Sequence, residues 1–309
     1  MSLSTFLKLS TSALALIAGY NSLLPSFAAP AISGNKKAPI AQTVPFRSPA
    51  KDRYGLPIAQ IEKLLEARNT KEASTVLARV PRCKGDEDRR NMILGAILAT
   101  DSNFDAALPL FTKVKHPEEA VDCELFLAAK TFALAQDFAK AIKLATIAID
   151  RDNDQKSLEI RASCYSTLAR FSDAINDYET LARTKPRWAS DYLAKEADIL
   201  SHTNKPKEAL AVAERAVKAA PNDCGAQMVK GACLEQLGRY DEAVEVLTIT
   251  RNLAKKTVAT KNESTFFLIR ALEKRAACYN KMGKIKESEQ DKLELKSYSD
   301  KLMNDLVGK

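Results

Sequence analysis

The chain has 309 residues, 46% hydrophobic and 28% charged; that is enough apolar material for a buried core and excludes a chain disordered throughout. Only 10 glycines and 12 prolines are present, and strand-rich folds spend many such residues in turns, so the shortage points to helices. The net charge of +8 is concentrated towards the C-terminus, where residues 251–309 carry 14 Lys/Arg against 8 Asp/Glu; the two signs are interleaved with no aromatic platform among them, which describes a solvated helical face, and nucleic acid is not expected as a partner.

Residues 1–28 read as a secretory signal peptide. Lys8 precedes an apolar run from Ala13 to Gly19, and the small-x-small site Ser26-Phe27-Ala28 follows. Tyr20, Asn21 and Ser22 break the run, so it is too short and too polar to span a bilayer. No cysteine lies near the cleavage site, which argues against a lipid anchor. Residues 29–53 contain Pro30, Pro39, Pro45 and Pro49 without apolar periodicity. Proline fixes φ and removes a backbone donor, so this stretch is expected to be a flexible linker. Folded structure is expected over 54–300, beginning near Leu56, with 301–309 as a tail.

Within that region a small residue recurs at Ala73, Ala107, Ala141, Ala174, Ala209, Ala243 and Ser288, at intervals of 34, 34, 33, 35, 34 and 45. An aromatic residue stands three positions before it in Phe104, Phe138, Phe171 and Tyr240. Self-similarity at this period marks a stack of supersecondary units. Nine residues before the marker lie Leu64, Leu98, Phe132, Tyr165, Leu200, Leu234 and Tyr279; twelve before it stand Gly95, Ala129, Ala162, Ala197, Gly231 and Ala276, with Ile61 in the first unit. Four and seven residues after it the positions are mostly apolar, as in Leu77 and Val80. Offsets of three, four and seven put one apolar stripe on each of two helices per unit. The small residues let the two helices approach closely. Gly238 and Gly283 suit the left-handed position after a first helix, Pro206 opens a second helix, and Pro186 and Pro221 follow helix ends. The long last interval adds 11 residues, read as lengthened helices around Asn252–Phe267.

The stretches KGACLEQLGRYDEAVEVL, RASCYSTLARFSDAINDYETLARTKP and EALAVAERAVKAAPND resemble the tetratricopeptide repeat. Seven units in register, from Tyr54 to Tyr298, carry the resemblance, of an exported bacterial type. It implies an all-α, right-handed superhelical solenoid of about seven helix-turn-helix units with a long C-terminal helix. The sequence departs from the family's usual Leu before the small residue of the first helix, where Gln60, Ala128, Arg161, Glu196, Lys230 and Arg275 stand. Pro57 and Pro109 disturb the first helix of unit one and the second helix of unit two.

No GxGxxG, GxxxxGK[ST] or HExxH motif occurs, and the two histidines, His116 and His202, fall in expected turns. No catalytic residue, cofactor or metal is therefore assigned. Cys164, Cys233 and Cys278 share one register position ten residues before the marker, where cysteine acts as a small hydrophobe. Cys83 and Cys123 fall near unit connections; an oxidising compartment would allow them to bridge, but sequence does not fix the connectivity.

The resemblance implies that first helices line a concave, ligand-binding face. A carboxylate clamp of Lys and Asn in successive units is absent. The candidate partner-binding residues are Ile58, Leu65, Met92, Ala96, Phe126, Lys130, Leu134, Glu159 and Asp198. They give an apolar N-terminal half and a charged C-terminal half, in which Lys156, Glu235, Arg270 and Glu273 join. An apolar groove suits a peptide or amphipathic helix; tight packing of the solenoid over the same residues is the other reading. The function expected is a scaffold for protein or peptide partners in the cell envelope or outside the cell. A subunit presenting substrate to a separate envelope enzyme, and a polyanion-binding surface, are the alternatives.

Overall fold

The structure is a computed structural model that describes residues 58–80, 85–257 and 262–307, all within one unit of the chain. The export segment and the linker expected at 1–28 and 29–53 lie outside the described residues, as does Cys83.

The described residues form fourteen α-helices in seven pairs. Units one to three are α1 (Ile58–Glu66) with α2 (Thr70–Arg79), α3 (Glu87–Thr100) with α4 (Phe104–Lys113), and α5 (Asp122–Leu134) with α6 (Phe138–Asp152). Unit four is α7 (Gln155–Thr167) with α8 (Phe171–Thr184), and unit five is α9 (Ala189–His202) with α10 (Pro206–Ala219). Units six and seven are α11 (Cys224–Gln236) with α12 (Tyr240–Thr257) and α13 (Asn262–Lys281) with α14 (Ile285–Val307). The single-turn 3₁₀ helices Pro117–Glu119 and Pro186–Trp188 connect units two to three and four to five. The extra residues of the last interval lengthen α12, α13 and α14 as the periodicity implies; their added turns bury Ala254, Leu268 and Leu272 in a cluster of their own. α14 runs to Val307, so most of the stretch expected to be a tail continues the helix. α4 accommodates Pro109 and ends at Lys113, and α1 forms behind Pro57 at nine residues.

The turn within each unit is the same device seven times over. The backbone N–H of the residue four before the marker donates to the carbonyl nine before it: Asn69 to Leu64 at 2.7 Å, Asn103 to Leu98 at 2.9 Å, Arg170 to Tyr165 at 2.8 Å, Arg239 to Leu234 at 2.9 Å, with the same bond from Asp137, Lys205 and Lys284. This closes the first helix with a Schellman turn, whose central residue is left-handed. Gly238 and Gly283 take that conformation at φ +73°. The other five units put Arg68, Ser102, Gln136, Ala169 and Asn204 there, at φ between 54° and 62°. Asn69, Asn103 and Asp137 then cap their second helices through the side-chain oxygen.

Within a unit, size at one helix answers size at the other. All six marker alanines are fully buried, and buried Ser288 satisfies its hydroxyl by donating to the Ala276 carbonyl at 3.0 Å. Where the first helix offers only glycine, the second inserts a large residue: a Cβ on Gly95 would lie 2.6 Å from Phe111, and one on Gly231 would lie 2.8 Å from Leu247. Where the first helix offers Ala129 or Ala197, the second has only Ala145 or Ala213. Each first helix packs on its own second helix and on the one before it. First helices also pack on one another, α3 on α5, α5 on α7, α9 on α11 and α11 on α13, whereas second helices make no comparable contact with each other. The first helices therefore line an inner wall in two closely packed runs, α1 to α7 and α9 to α13, which the Tyr192–Glu159 hydrogen bond joins, and the second helices stand apart in an outer layer.

Candidate functional site on the inner wall of first helices

The wall is closed where sequence suggested an apolar groove. Leu65, Met92 and Ala96 are buried. Met92 belongs to the cluster holding Leu125 and Ala128 of the next first helix, and Ala96 and Leu65 to the cluster holding Ile61 of the one before. First-helix-to-first-helix packing uses these side chains, so they do not present a binding stripe. The side chain of Ile58 lies outside the description.

The remaining candidates reach the surface. Phe126, Lys130 and Leu134 lie at i, i+4 and i+8 on one face of α5. Leu134 is 57% exposed. Phe126 is half-buried beneath the Lys156 ammonium, 5.7 Å from its ring centre, and Lys130 sits 5.3 Å over the Phe104 ring. Such contacts hold both lysine stems against apolar surface and leave the ammonium groups available to solvent.

The C-terminal half is a lattice of paired charges. Glu159 of α7 accepts from Lys185 Nζ at 2.9 Å and from the Tyr192 hydroxyl. Burial first, and then that carboxylate, push the Tyr192 phenol up, so it remains a donor. Tyr192 stacks on Tyr178, centroids 6.4 Å apart. Asp198 of α9 has its carboxyl pushed up by burial and drawn back by His202, Lys274 and Arg270. His202 Nδ1 lies 2.8 Å from the Asp198 carbonyl oxygen. Lys274 donates to Glu235 at 2.8 Å, and Arg270 to Glu273 at 3.2 Å. Tyr192, Lys185 and Lys274 were not singled out from the sequence. The roles of Tyr192 and Lys274 depend on side chains meeting across two units, which a single-unit register does not reveal, and Lys185 reaches Glu159 from the end of the second helix of the same unit.

Among the described residues no three His, Cys, Asp or Glu side chains gather as a metal site, and no helix is long and apolar enough to cross a membrane. The wall offers hydrogen bonds, ion pairs and apolar contact.

Comparison with known proteins agrees with this architecture. Residues 194–250 match the family model of the tetratricopeptide repeat. A stretch of 60 residues is 37% identical to heat shock protein STI1 of Saccharomyces cerevisiae, covering 19% of this chain and 10% of that protein; the chain thus spans about a tenth of that relative's length. The C-terminal part of a tetratricopeptide repeat-containing protein from Cytophaga hutchinsonii superposes with a TM-score of 0.56 at 15% identity, over 77% of this chain and 94% of that one. A tetratricopeptide repeat protein from Parabacteroides merdae gives 0.53 at 17% identity, over 69% and 80%. Units five and six thus match the tetratricopeptide repeat in sequence, and the stack on either side of them has the fold of tetratricopeptide-repeat structures.

Proposed function

We propose that the protein is a non-catalytic scaffold that docks a peptide or protein partner along its inner wall. The tetratricopeptide fold is one that supports protein–protein interaction. The observation that carries the site is the open face of α5, where Phe126 and Leu134 offer apolar contact beside Lys130 and Lys156, continuing into the charged row from Glu159 to Asp198 and Arg270. An amphipathic partner segment with acidic residues flanking its apolar ones fits such a surface. Export belongs to the same reading: the order of cation, apolar run and small-x-small site over 1–28 supports release of a mature chain at the cell envelope or beyond it.

A polyanion-binding role is disfavoured by the ion pairs of the basic C-terminal units. Arg251 and Lys255 bind Glu294, Lys274 binds Glu235, Arg275 binds Asp291, Lys284 binds Asp241 and Lys292 binds Glu289. Six of the 14 cations of residues 251–309 are thereby held in ion pairs and are not free to meet a polyanion.

The test is a photo-crosslinking capture from the producing cells, with the crosslinker at Leu134, beside the variants Phe126→Asp and Lys130→Glu. A protein captured by the parent and lost from both variants, with unchanged helical circular dichroism, supports the inner wall as the docking face. Capture that both variants retain refutes it. Cell fractionation and N-terminal sequencing of the recovered chain test the export reading; a chain that keeps Met1 in the cytosolic fraction refutes it.

A further inference from the structure

Thirteen residues before the marker, the first helices of units four, six and seven carry a cation that reaches a second helix beside it. In unit four this is Arg161, whose guanidinium donates to Asp177 of α8 at 2.9 and 2.8 Å and to the Thr146 hydroxyl of α6 at 3.3 Å. Unit seven repeats the arrangement with Arg275, which donates to Asp291 of α14 at 2.7 Å and to Thr248 of α12 at 3.0 Å. Unit six places Lys230 there, 3.8 Å from Glu214 of α10. Thr146, Glu214 and Thr248 occupy one register position, five residues after the marker of the preceding unit.

Unit five inverts the pattern. The cation's position holds Glu196, the acceptor position before it holds Glu179, and Val212 stands where units four and seven have aspartate. Glu196 is only 3% exposed, and its Oε2 has no hydrogen-bond partner. The slot is open: a cavity of about 370 Å³ is lined by Glu179, Thr180, Ala182 and Arg183 of α8, Leu193 of α9 and Arg215 of α10. Glu196 is not among the lining residues, but Leu193 is its i, i−3 neighbour on α9, and two of the lining residues, Glu179 and Arg215, are the charges that act on its carboxyl.

We propose that the slot between α8 and α10 takes the guanidinium of an arginine side chain from a partner protein, filling the place that units four, six and seven fill with a cation of their own. The neighbouring units display the chemistry: the same backbone frame already surrounds a planar guanidinium twice. A carboxylate withdrawn from water without a partner is costly, and an incoming guanidinium gives it two charge-assisted hydrogen bonds while Glu179 supplies a second acceptor. Arg183 of α8 and Arg215 of α10 also line the slot, and their charge limits it to one cation. Burial, and then the charge of Glu179, hold the Glu196 carboxyl up at about 7, with Arg215 opposing. Binding near neutral pH therefore drives its proton into solvent. The slot lies in the outer layer, so it stands or falls independently of the inner wall.

Isothermal titration calorimetry on the full chain tests it, with the peptide acetyl-Gly-Arg-Gly-amide, its citrulline counterpart and spermidine as probes. The arginine peptide should bind and the neutral citrulline peptide should not. Glu196→Gln, which keeps shape and removes charge, should weaken binding by about tenfold or more, and Glu179→Gln, at an exposed position, should weaken it less. The double variant Glu196→Arg, Val212→Asp rebuilds the pair of units four and seven and should abolish binding. At pH 7 the apparent enthalpy should differ between phosphate and Tris buffers, as proton release requires. Absence of binding to the parent, equal binding of the citrulline peptide, or an undiminished affinity in both Gln variants overturns the proposal. Spermidine binding as tightly as the arginine peptide would show a response to bare charge and overturn the guanidinium assignment.

Discussion

Both carboxylate oxygens of Asp177 are taken by one guanidinium, that of Arg161, at 2.8 and 2.9 Å, and this pair fastens the first helix of unit four to its second. The two side chains are 17% and 9% exposed, and the Arg161 guanidinium is held in its charged form by that contact against the opposing effect of burial. Asp177→Ala leaves a largely buried cation whose remaining contacts are a hydrogen bond to the Thr146 hydroxyl and the face of the Tyr165 ring. The expected cost is about 3 kcal/mol, read from the urea midpoint of helical circular dichroism. Replacing both residues by well-packed apolar ones should recover most of it, and a single variant as stable as the parent would refute a structural role for the pair.

Ala169 is held at φ +56° in the turn of unit four, a conformation that costs an L-residue about 1–2 kcal/mol. Ala169→Gly should therefore raise stability, but by only part of that amount, because the greater entropy of glycine in the unfolded chain works against the gain. The same exchange at Gln136 should act in the same direction, and Gly238→Ala, at φ +73° with open space around it, in the opposite one. Thermal unfolding of the three variants side by side checks the signs; a destabilised Ala169→Gly would contradict the strain argument.

These turns show what was legible and what was not. Helix existence followed from offsets of three, four and seven around the marker alanines, because burial of one face forces that period. The glycines at 238 and 283 announced their turns, whereas Arg68, Ser102, Gln136, Ala169 and Asn204 adopt the same turn with no signature of their own; the seven-fold hydrogen bond to the carbonyl nine before the marker imposes it. The lengthened α12 and α13 were foreseen from an interval of 45. The inner wall was read less well. Met92 and Ala96 occupy ligand-facing register positions yet are buried by neighbouring first helices, since exposure there depends on how closely successive units pack. The departure at Glu196 was visible as a letter, but its meaning needed the Arg161 and Arg275 contacts beside it.

The fit of Leu247 against bare backbone at Gly231 makes a compensated pair. A Cβ at Gly231 would stand 2.8 Å from Leu247 Cγ, so Gly231→Ala should overpack the unit and cost about 1–3 kcal/mol. Leu247→Ala opens a cavity and should cost about 2–5 kcal/mol. The double variant copies the Ala197–Ala213 pairing of unit five, so it should be more stable than the sum of the two singles predicts. Strict additivity in a double-mutant cycle would show that the two residues do not share the contact.

The thiols should be unreactive while the chain is folded. Burial pushes Cys123 up to about 12 and Cys164, Cys233 and Cys278 to about 11, leaving almost no thiolate at pH 8. Iodoacetamide at that pH should leave these four unmodified in the native protein and label them in urea. Rapid native labelling of Cys164 or Cys233, followed by mass spectrometry, would mean that their helices open locally far more often than their packing implies.

Glu196 makes stability depend on pH with a defined sign. Its carboxyl is raised from 4.5 to about 7 in the folded chain, by burial first and by the charge of Glu179 second. Between those values the native state holds a proton that the unfolded state has released, so raising the pH favours unfolding. The contribution is fully present below about pH 4.5, declines through neutrality and is lost above the folded value. Glu196→Gln cannot ionise and escapes that decline. The Tm difference between Glu196→Gln and the parent should therefore be small at pH 4.5, grow steadily to pH 7 and level off above pH 8. Subtracting one chain from the other cancels every other carboxylate that titrates equally in both. A difference that stays constant across this window would show that Glu196 is ionised and compensated in the folded chain, and a difference that shrinks with rising pH would mean that its charged form is the stabilising one.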